Sequence, residues 1–208
     1  MTTSGKIARA GMAVVLLSLT ISAVAFERVE AVNFAKQDFV FPDDIQGDGT
    51  HLVFLGIAKD QDNGTWQGEE LIRWHQSLLE ADALPDEVLA WHFAVMESPP
   101  FFVKGLIRRA IGETYEGLIP PEQGAVLYIK RLQSFAESAG LPIDGQPTIL
   151  AYSADAGVTA TWRGEVNADT VAAIKNQLQQ SELQQTELQD APATPVPSES
   201  AEQELDTD

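Results

Sequence analysis

The side chains of this sequence that are able to do chemistry are carboxylates, imidazoles and cations, because its 208 residues include 31 Asp and Glu, 13 Lys and Arg, three His and no Cys. Disulfide exchange and thiol peroxidase chemistry need a thiolate that attacks and is regenerated, so both are excluded. Thiolate-ligated metal sites are excluded for the same reason. The densest polar stretch is Lys59-Asp60-Gln61-Asp62-Asn63-Gly64-Thr65-Trp66. Asp60 or Asp62 together with His75 would supply a general acid and base if the fold brought them within hydrogen-bond reach. Calcium suits the loop poorly: counted from Asp60, the EF-hand register puts Gly64 at position 5, Thr65 at 6 and Leu71 at the bidentate position 12. Counted from Asp44, position 12 falls on Leu55. Both stretches read as turns.

His51, His75 and His92 lie at a strand edge, on a helix and inside a strand, and share no ligand spacing. A zinc site would have to be assembled from distant residues. His92 reads as a hydrogen-bonded core residue and His75 as a helix-surface one. No Gly-x-x-x-x-Gly-Lys phosphate loop and no Gly-x-Ser-x-Gly elbow occurs. The residues alone assign no catalytic group, no metal and no cofactor.

Charge shows a sharper anomaly. Two of the 13 basic residues, Lys6 and Arg9, precede residue 25, and five of the remaining eleven are Lys104, Arg108, Arg109, Lys130 and Arg131. Lys104 and Arg108 are one helical turn apart and share a face, while Phe102, Val103, Leu106, Ile107, Ala110 and Ile111 form a broad apolar remainder. Such a helix docks on an acidic partner or lies at a membrane surface, which makes Lys104, Arg108 and Arg109 the partner-binding candidates. The alternative is a surface helix whose cations pair with Glu113, Glu116 and Glu122. The formal charge of −18 disfavours nucleic acid and anionic lipid as partners unless a basic patch is segregated.

Both ends of the chain differ from its middle. After Lys6 and Arg9 comes the apolar run GMAVVLLSLTISAVA, closing on Ala23-Val24-Ala25, a small-x-small cleavage pattern. Its 15 residues, at about 1.5 Å each, fall short of a bilayer core of roughly 30 Å. Residues 1–25 are therefore expected to be a cleaved export signal, the alternative being a retained anchor, and the address expected is the bacterial periplasm. No other stretch is long enough to span a membrane. Residues 26–36 read as a linker, 37–178 as one domain, and 179–208, rich in Gln, Glu, Ser and Pro, as a disordered acidic tail.

Within the domain, HLVFLGIA (51–58) is a continuous apolar run of strand length. Thr65 can cap a helix in which Leu71, Trp74, Leu78 and Leu79 share one face, and VLAWHFAVM (88–96) is a second buried strand. Together they make a right-handed parallel βαβ unit. Ser98-Pro99-Pro100 stops the sheet, and helices are expected over about 101–115 and 121–140. A hairpin follows, turning at Asp155-Ala156-Gly157, and then a last helix capped by Asn167 with Val171, Ile174 and Leu178 inward.

The stretch GQPTILAYSADAGVTATWRGEVNADTVAAIKNQL resembles the C-terminal signature of the TlpA and peroxiredoxin-like branches of the thioredoxin-like superfamily, and FVFPDDIQGDGTHLVFLGIA resembles their segment before the active-site loop. The resemblance implies an α/β thioredoxin-like fold: a central mixed sheet flanked by helices, with a helical insertion after the second core strand. It also implies that Pro147 is the family's cis-proline, holding the backbone of Gln146 against the active-site loop. Where the family carries Cys-x-x-Cys, this chain reads Lys59 to Trp66 without sulfur, so the fold does not carry the redox function with it. A weaker resemblance, on MESPPFFVKGLIRRAIG and Trp162-Arg163-Gly164, is to the thioredoxin-like mitochondrial ATP-synthase assembly factors, which are membrane-associated helpers without redox activity. The function expected is that of an exported, non-redox protein that binds an unknown protein partner, acidic or membrane-associated, as an accessory or assembly factor in the cell envelope. An enzyme with an acid-base site in the loop at residues 60–66 and a peripheral membrane-docking module are the alternatives.

Overall fold

The computed structural model describes residues 26–190 apart from positions 46 and 48. The expected export signal and the end of the expected tail lie outside them. The first elements are a two-stranded hairpin, β1 (Val29–Val32) antiparallel to β2 (Asp38–Phe41). Residues 26–36 are thus not a linker: Phe26 is buried edge-on against Phe41 and also meets Phe135 and Tyr152. Aromatic residues at this spacing supply enough apolar surface to fix a short hairpin on a larger core.

The apolar run after Thr50 forms β3 (His51–Ile57), buried along its whole length as a central strand must be. It leads into α1 (Gln61–Glu80), capped by Asp60, whose carboxylate accepts from the Asn63 amide. The helix begins ahead of the expected cap at Thr65, because Asp60 serves the first turn better than a mid-helix hydroxyl does. Strand β4 (Ala90–Glu97) runs parallel to β3 in the register Phe54↔His92, and α2 (Phe101–Thr114) follows it.

Instead of a helix over 121–140, a 3-10 turn (Pro121–Gln123) opens β5 (Gly124–Ile129), parallel to β4, and only then comes the short α3 (Leu132–Ser138). The run Ala125-Val126-Leu127 is buried on both faces of the sheet, a placement that a helix with one apolar stripe does not give. Strands β6 (Thr148–Ser153) and β7 (Gly157–Arg163) form the expected hairpin, and Asn167 caps α4 (Ala168–Asp190) through the Thr170 amide. The helix continues past the expected boundary at residue 178 as far as Asp190.

The main sheet has the order β5-β4-β3-β6-β7, with β3, β4 and β5 mutually parallel, β6 antiparallel to β3, and β7 antiparallel to β6. One face packs Phe39, Phe41, Phe93, Leu127 and Phe135 under the N-terminal hairpin and α3. The other packs Leu52, Phe54, Leu71, Trp74, Ile149 and Ile174 under α1 and α4. Alternate residues of β3 and β4 serve opposite faces, as the period of a strand requires.

Candidate functional site

In open α/β sheets ligands bind beyond the carboxyl ends of the parallel strands. Here that end carries the loop from Ala58 to Asp60, the first turns of α1, α2 and α3, and the segment before β6. Its polar residues close on one another. Gln67, almost wholly buried, uses its amide to pair both polar groups of the Ile57 backbone, accepting from N at 3.1 Å and donating to O at 2.9 Å. Asn63 Oδ1 accepts from Gln67 Nε2 at 2.7 Å and from the Lys59 amide at 3.2 Å, while Asn63 Nδ2 donates to Gly145 O at 2.9 Å. Every amide atom of the Asn63 and Gln67 side chains named here is spent on the protein itself, which leaves a brace and not a reactive group.

The segment before β6 is clamped from its far side as well. Arg163 makes a bidentate pair with Asp144 at 2.7 and 2.8 Å, and its Nε donates to Thr148 Oγ1. The Arg163 hydrogen bonds hold the Asp144 carboxyl down at about 2, with the Gln146 amide helping. Between the two clamps Gly145 sits at φ +84°, and a Cβ there would lie 2.9 Å from Asn63 Nδ2. The expectation of a cis bond at Pro147 is corrected: among the described residues the cis peptide bond is Phe41–Pro42, and Gln146–Pro147 is not cis. The contact to the loop is made by the Gly145 carbonyl and the Asn63 side chain in place of the Gln146 backbone. Pro147 instead accepts, through its carbonyl, from the Gly164 amide at 3.0 Å.

The acid-base alternative loses its geometry. Asp62 and His75 lie on α1 thirteen positions apart, a separation of roughly 20 Å at about 1.5 Å per residue. His75 is committed elsewhere, its Nδ1 lying 2.8 Å from His92 Nε2 in the core between α1 and β4. The His92 ring stacks on Phe54 at 4.3 Å and meets Tyr115 at 4.9 Å. Burial pulls the His75 imidazole down to about 4. Burial, and then the charge of His75, holds His92 well below its ordinary value. His92 Nδ1 has no partner. The less costly tautomer therefore has His92 Nε2–H donating to His75 Nδ1, leaving an orphaned lone pair and not an orphaned N–H. Sequence reading placed His75 on the helix surface. Its spacing from Leu71 and Leu78 puts it on the buried face, and the register that brings His92 opposite is set only by strand pairing.

The partner-binding candidates lie on α2, which has no buried residue. Phe101, Phe102 and Leu106 are 86%, 73% and 69% exposed. Lys104 lies over the Tyr128 ring at 5.1 Å, and the Tyr128 hydroxyl donates to Lys104 O at 2.7 Å. Arg109 pairs with Glu113 at 2.8 Å on the solvent side, so the paired-cation alternative holds for Arg109. Arg108 has no ion pair among the described residues. Sequence reading weighted the cations; the exposed phenyl rings ahead of them are the larger departure from an ordinary surface. Among the described residues no group of three or more His, Asp or Glu side chains is arranged to hold a metal ion, and no helix is long and apolar enough to cross a membrane.

The mixed five-stranded sheet flanked by four helices defines a thioredoxin-like fold, and the chain carries it without the Cys-x-x-Cys motif. Solved structures with a similar course of the backbone include a thiol peroxidase from Chromobacterium violaceum, 18% identical, covering 78% of this chain and 88% of that one with a TM-score of 0.48. A copper-bound ScoI from Arabidopsis thaliana is 9% identical over 74% of this chain and 98% of its own, with a TM-score of 0.49. The exposed lipoprotein thioredoxin Etrx1 of Streptococcus pneumoniae is 13% identical over 73% and 100%, with a TM-score of 0.43. These likenesses concern the path of the chain. No protein-family model matches the sequence, and comparison with curated proteins finds no match.

Proposed function

We propose that this chain is an exported, non-redox thioredoxin-fold protein that acts by binding, as an accessory or assembly factor in the cell envelope. The observation that carries the reading is the closed brace of Asp60, Asn63, Gln67 and Gly145 at the end of the sheet where the fold places its redox loop. With the side-chain amides of Asn63 and Gln67 spent internally and no cysteine in the chain, that end holds shape instead of exchanging electrons. The apolar run before residue 26 supports an envelope address. The exposed α2 supports a docking role, with Lys104, Arg108 and Arg109 on it. Replacing these three by Glu is expected to abolish co-purification of the partner from detergent-solubilised envelope while the urea midpoint stays put. Undiminished recovery of that partner would remove α2 as the contact surface.

A further inference from the structure

The strand pairing gathers at one end of the sheet residues that are far apart in the chain. The Ser98 amide donates to Ile129 O at 2.8 Å, which ties the segment leading into α2 to the end of β5. Lys130 and Arg131, both exposed, therefore leave the sheet at the same end as the segment that leads to the exposed Phe101 and Phe102. Among the described residues Arg28, Arg73, Arg109 and Arg163 each have a carboxylate within 4.0 Å; of the seven cations that have none, four, Lys104, Arg108, Lys130 and Arg131, fall on α2 and at the junction of β5 and α3. The nearest acid in sequence at this end, Glu97, is turned to α3, where its Oε1 accepts from the Leu132 amide at 3.3 Å. In a chain of net charge −18 these four cations make a local basic patch with an apolar tip.

We propose that this tip docks on an anionic bilayer surface, with Phe101, Phe102 and Leu106 entering the interface and Lys104, Arg108, Lys130 and Arg131 meeting the phosphate headgroups. The proposal rests on the reading that the chain acts by binding, and names what its α2 end binds. Phe101 and Phe102 are adjacent, and their exposed rings meet edge to face with centroids 5.8 Å apart, forming one apolar knob. A protein partner needs a preformed pocket to cover a knob of two rings, whereas a fluid interface admits it at any point. The four cations have long stems that keep their charge at headgroup level while the rings go deeper. The net acidity of the chain adds orientation, because an anionic membrane repels its acidic surface more strongly than this patch.

The test uses the full chain, wild type and variants, with phosphatidylcholine vesicles containing or lacking phosphatidylglycerol, read by sedimentation. Any binding through the apolar N-terminal run is common to all samples. Wild type is expected to partition onto the phosphatidylglycerol vesicles, less so as salt rises. Phe101→Ser with Phe102→Ser and Leu106→Ser should lower that partitioning by more than about tenfold. Lys104→Glu with Arg108→Glu, Lys130→Glu and Arg131→Glu should lower it on phosphatidylglycerol vesicles and leave phosphatidylcholine vesicles unaffected. Equal sedimentation of wild type and both variants overturns the proposal, as does self-association lost in the serine variant without vesicle binding. Recovery of a protein partner in detergent, combined with no vesicle binding, also overturns it but leaves the accessory role standing.

Discussion

The buried imidazole pair makes a quantitative prediction about acid. His75 Nδ1 and His92 Nε2 are 2.8 Å apart among Phe54 and Tyr115, and neither ring is faced by a carboxylate that would welcome a proton. Above pH 6.5 both histidines are neutral, folded or unfolded, and contribute no pH dependence. Below it the unfolded chain takes up protons that the folded core refuses, so stability falls with pH and stops falling once the folded group itself titrates. For His75 that window runs from 6.5 down to about 4. At about 1.4 kcal/mol per pH unit, His75 alone withdraws about 3 kcal/mol across the window. His92, held well below its ordinary value by burial, adds a slope of the same sign. The perturbation is His75→Leu with His92→Leu, which removes both partners of the hydrogen bond together and so avoids leaving one of them stranded. Urea unfolding of wild type and variant at steps from about pH 7.5 to about pH 4.5 gives the difference in stability at each pH, in which the titration of the many surface carboxylates cancels. The difference should shift in favour of the variant by at least about 1.4 kcal/mol per unit below about pH 6.5. Parallel pH profiles for wild type and variant would refute the reasoning, because they would mean that the rings take up protons in the folded state as easily as in water.

Three further outcomes follow from the brace and its neighbours. Asn63→Ala removes the acceptor of two hydrogen bonds and the donor to Gly145 O, and should cost about 1–3 kcal/mol in urea unfolding. Gly145→Ala puts a side chain at φ +84° and 2.9 Å from Asn63 Nδ2, and should cost at least about 1 kcal/mol, more than alanine at an open glycine such as Gly68. Glu70 is buried, accepts from the Val166 amide at 2.8 Å and pairs with Arg73 at 3.0 Å. Glu70→Leu should therefore loosen the start of α4 by about 1–3 kcal/mol, seen as faster amide exchange over residues 166–171, while Glu70→Gln retains most of the protection.

Much of this fold was legible because the signals were local. The apolar runs of β3 and β4, the turn at Asp155, and the cap at Asn167 each depend on residues within a few positions of one another. Strand β5 was not legible. Apolar positions at 125, 126, 129, 132, 135, 136 and 139 fit helical spacing as well as they fit a buried strand followed by a helix. What decides is the open edge of β4, which offers six residues of backbone to pair with, and that edge exists only once the βαβ unit has folded. The hairpin of residues 29–41 was hidden for the same reason. Its strands are four residues each, and its burial depends on Phe93, Phe135 and Tyr152 from far along the chain.

The site was legible in one half and hidden in the other. Missing cysteine is a fact of composition, and it removed the chemistry of the fold at once. What replaced that chemistry is a matter of long-range geometry: Asn63 and Gly145 are 82 positions apart, and the Asp144–Arg163 clamp that backs them spans another 19. The brace fixes the segment ahead of β6 against α1, and its energetic consequence is rigidity at the end of the sheet that also bears the tip of α2. A rigid scaffold presenting exposed phenyl rings binds at less entropic cost than a mobile one, since the ordering of the tip's support is complete before contact. A direct consequence is that Asn63→Ala should weaken docking through α2 without touching it. Retention of full vesicle or partner binding by that variant, at unchanged fold content, would separate the two ends of the site and leave the brace a purely structural device.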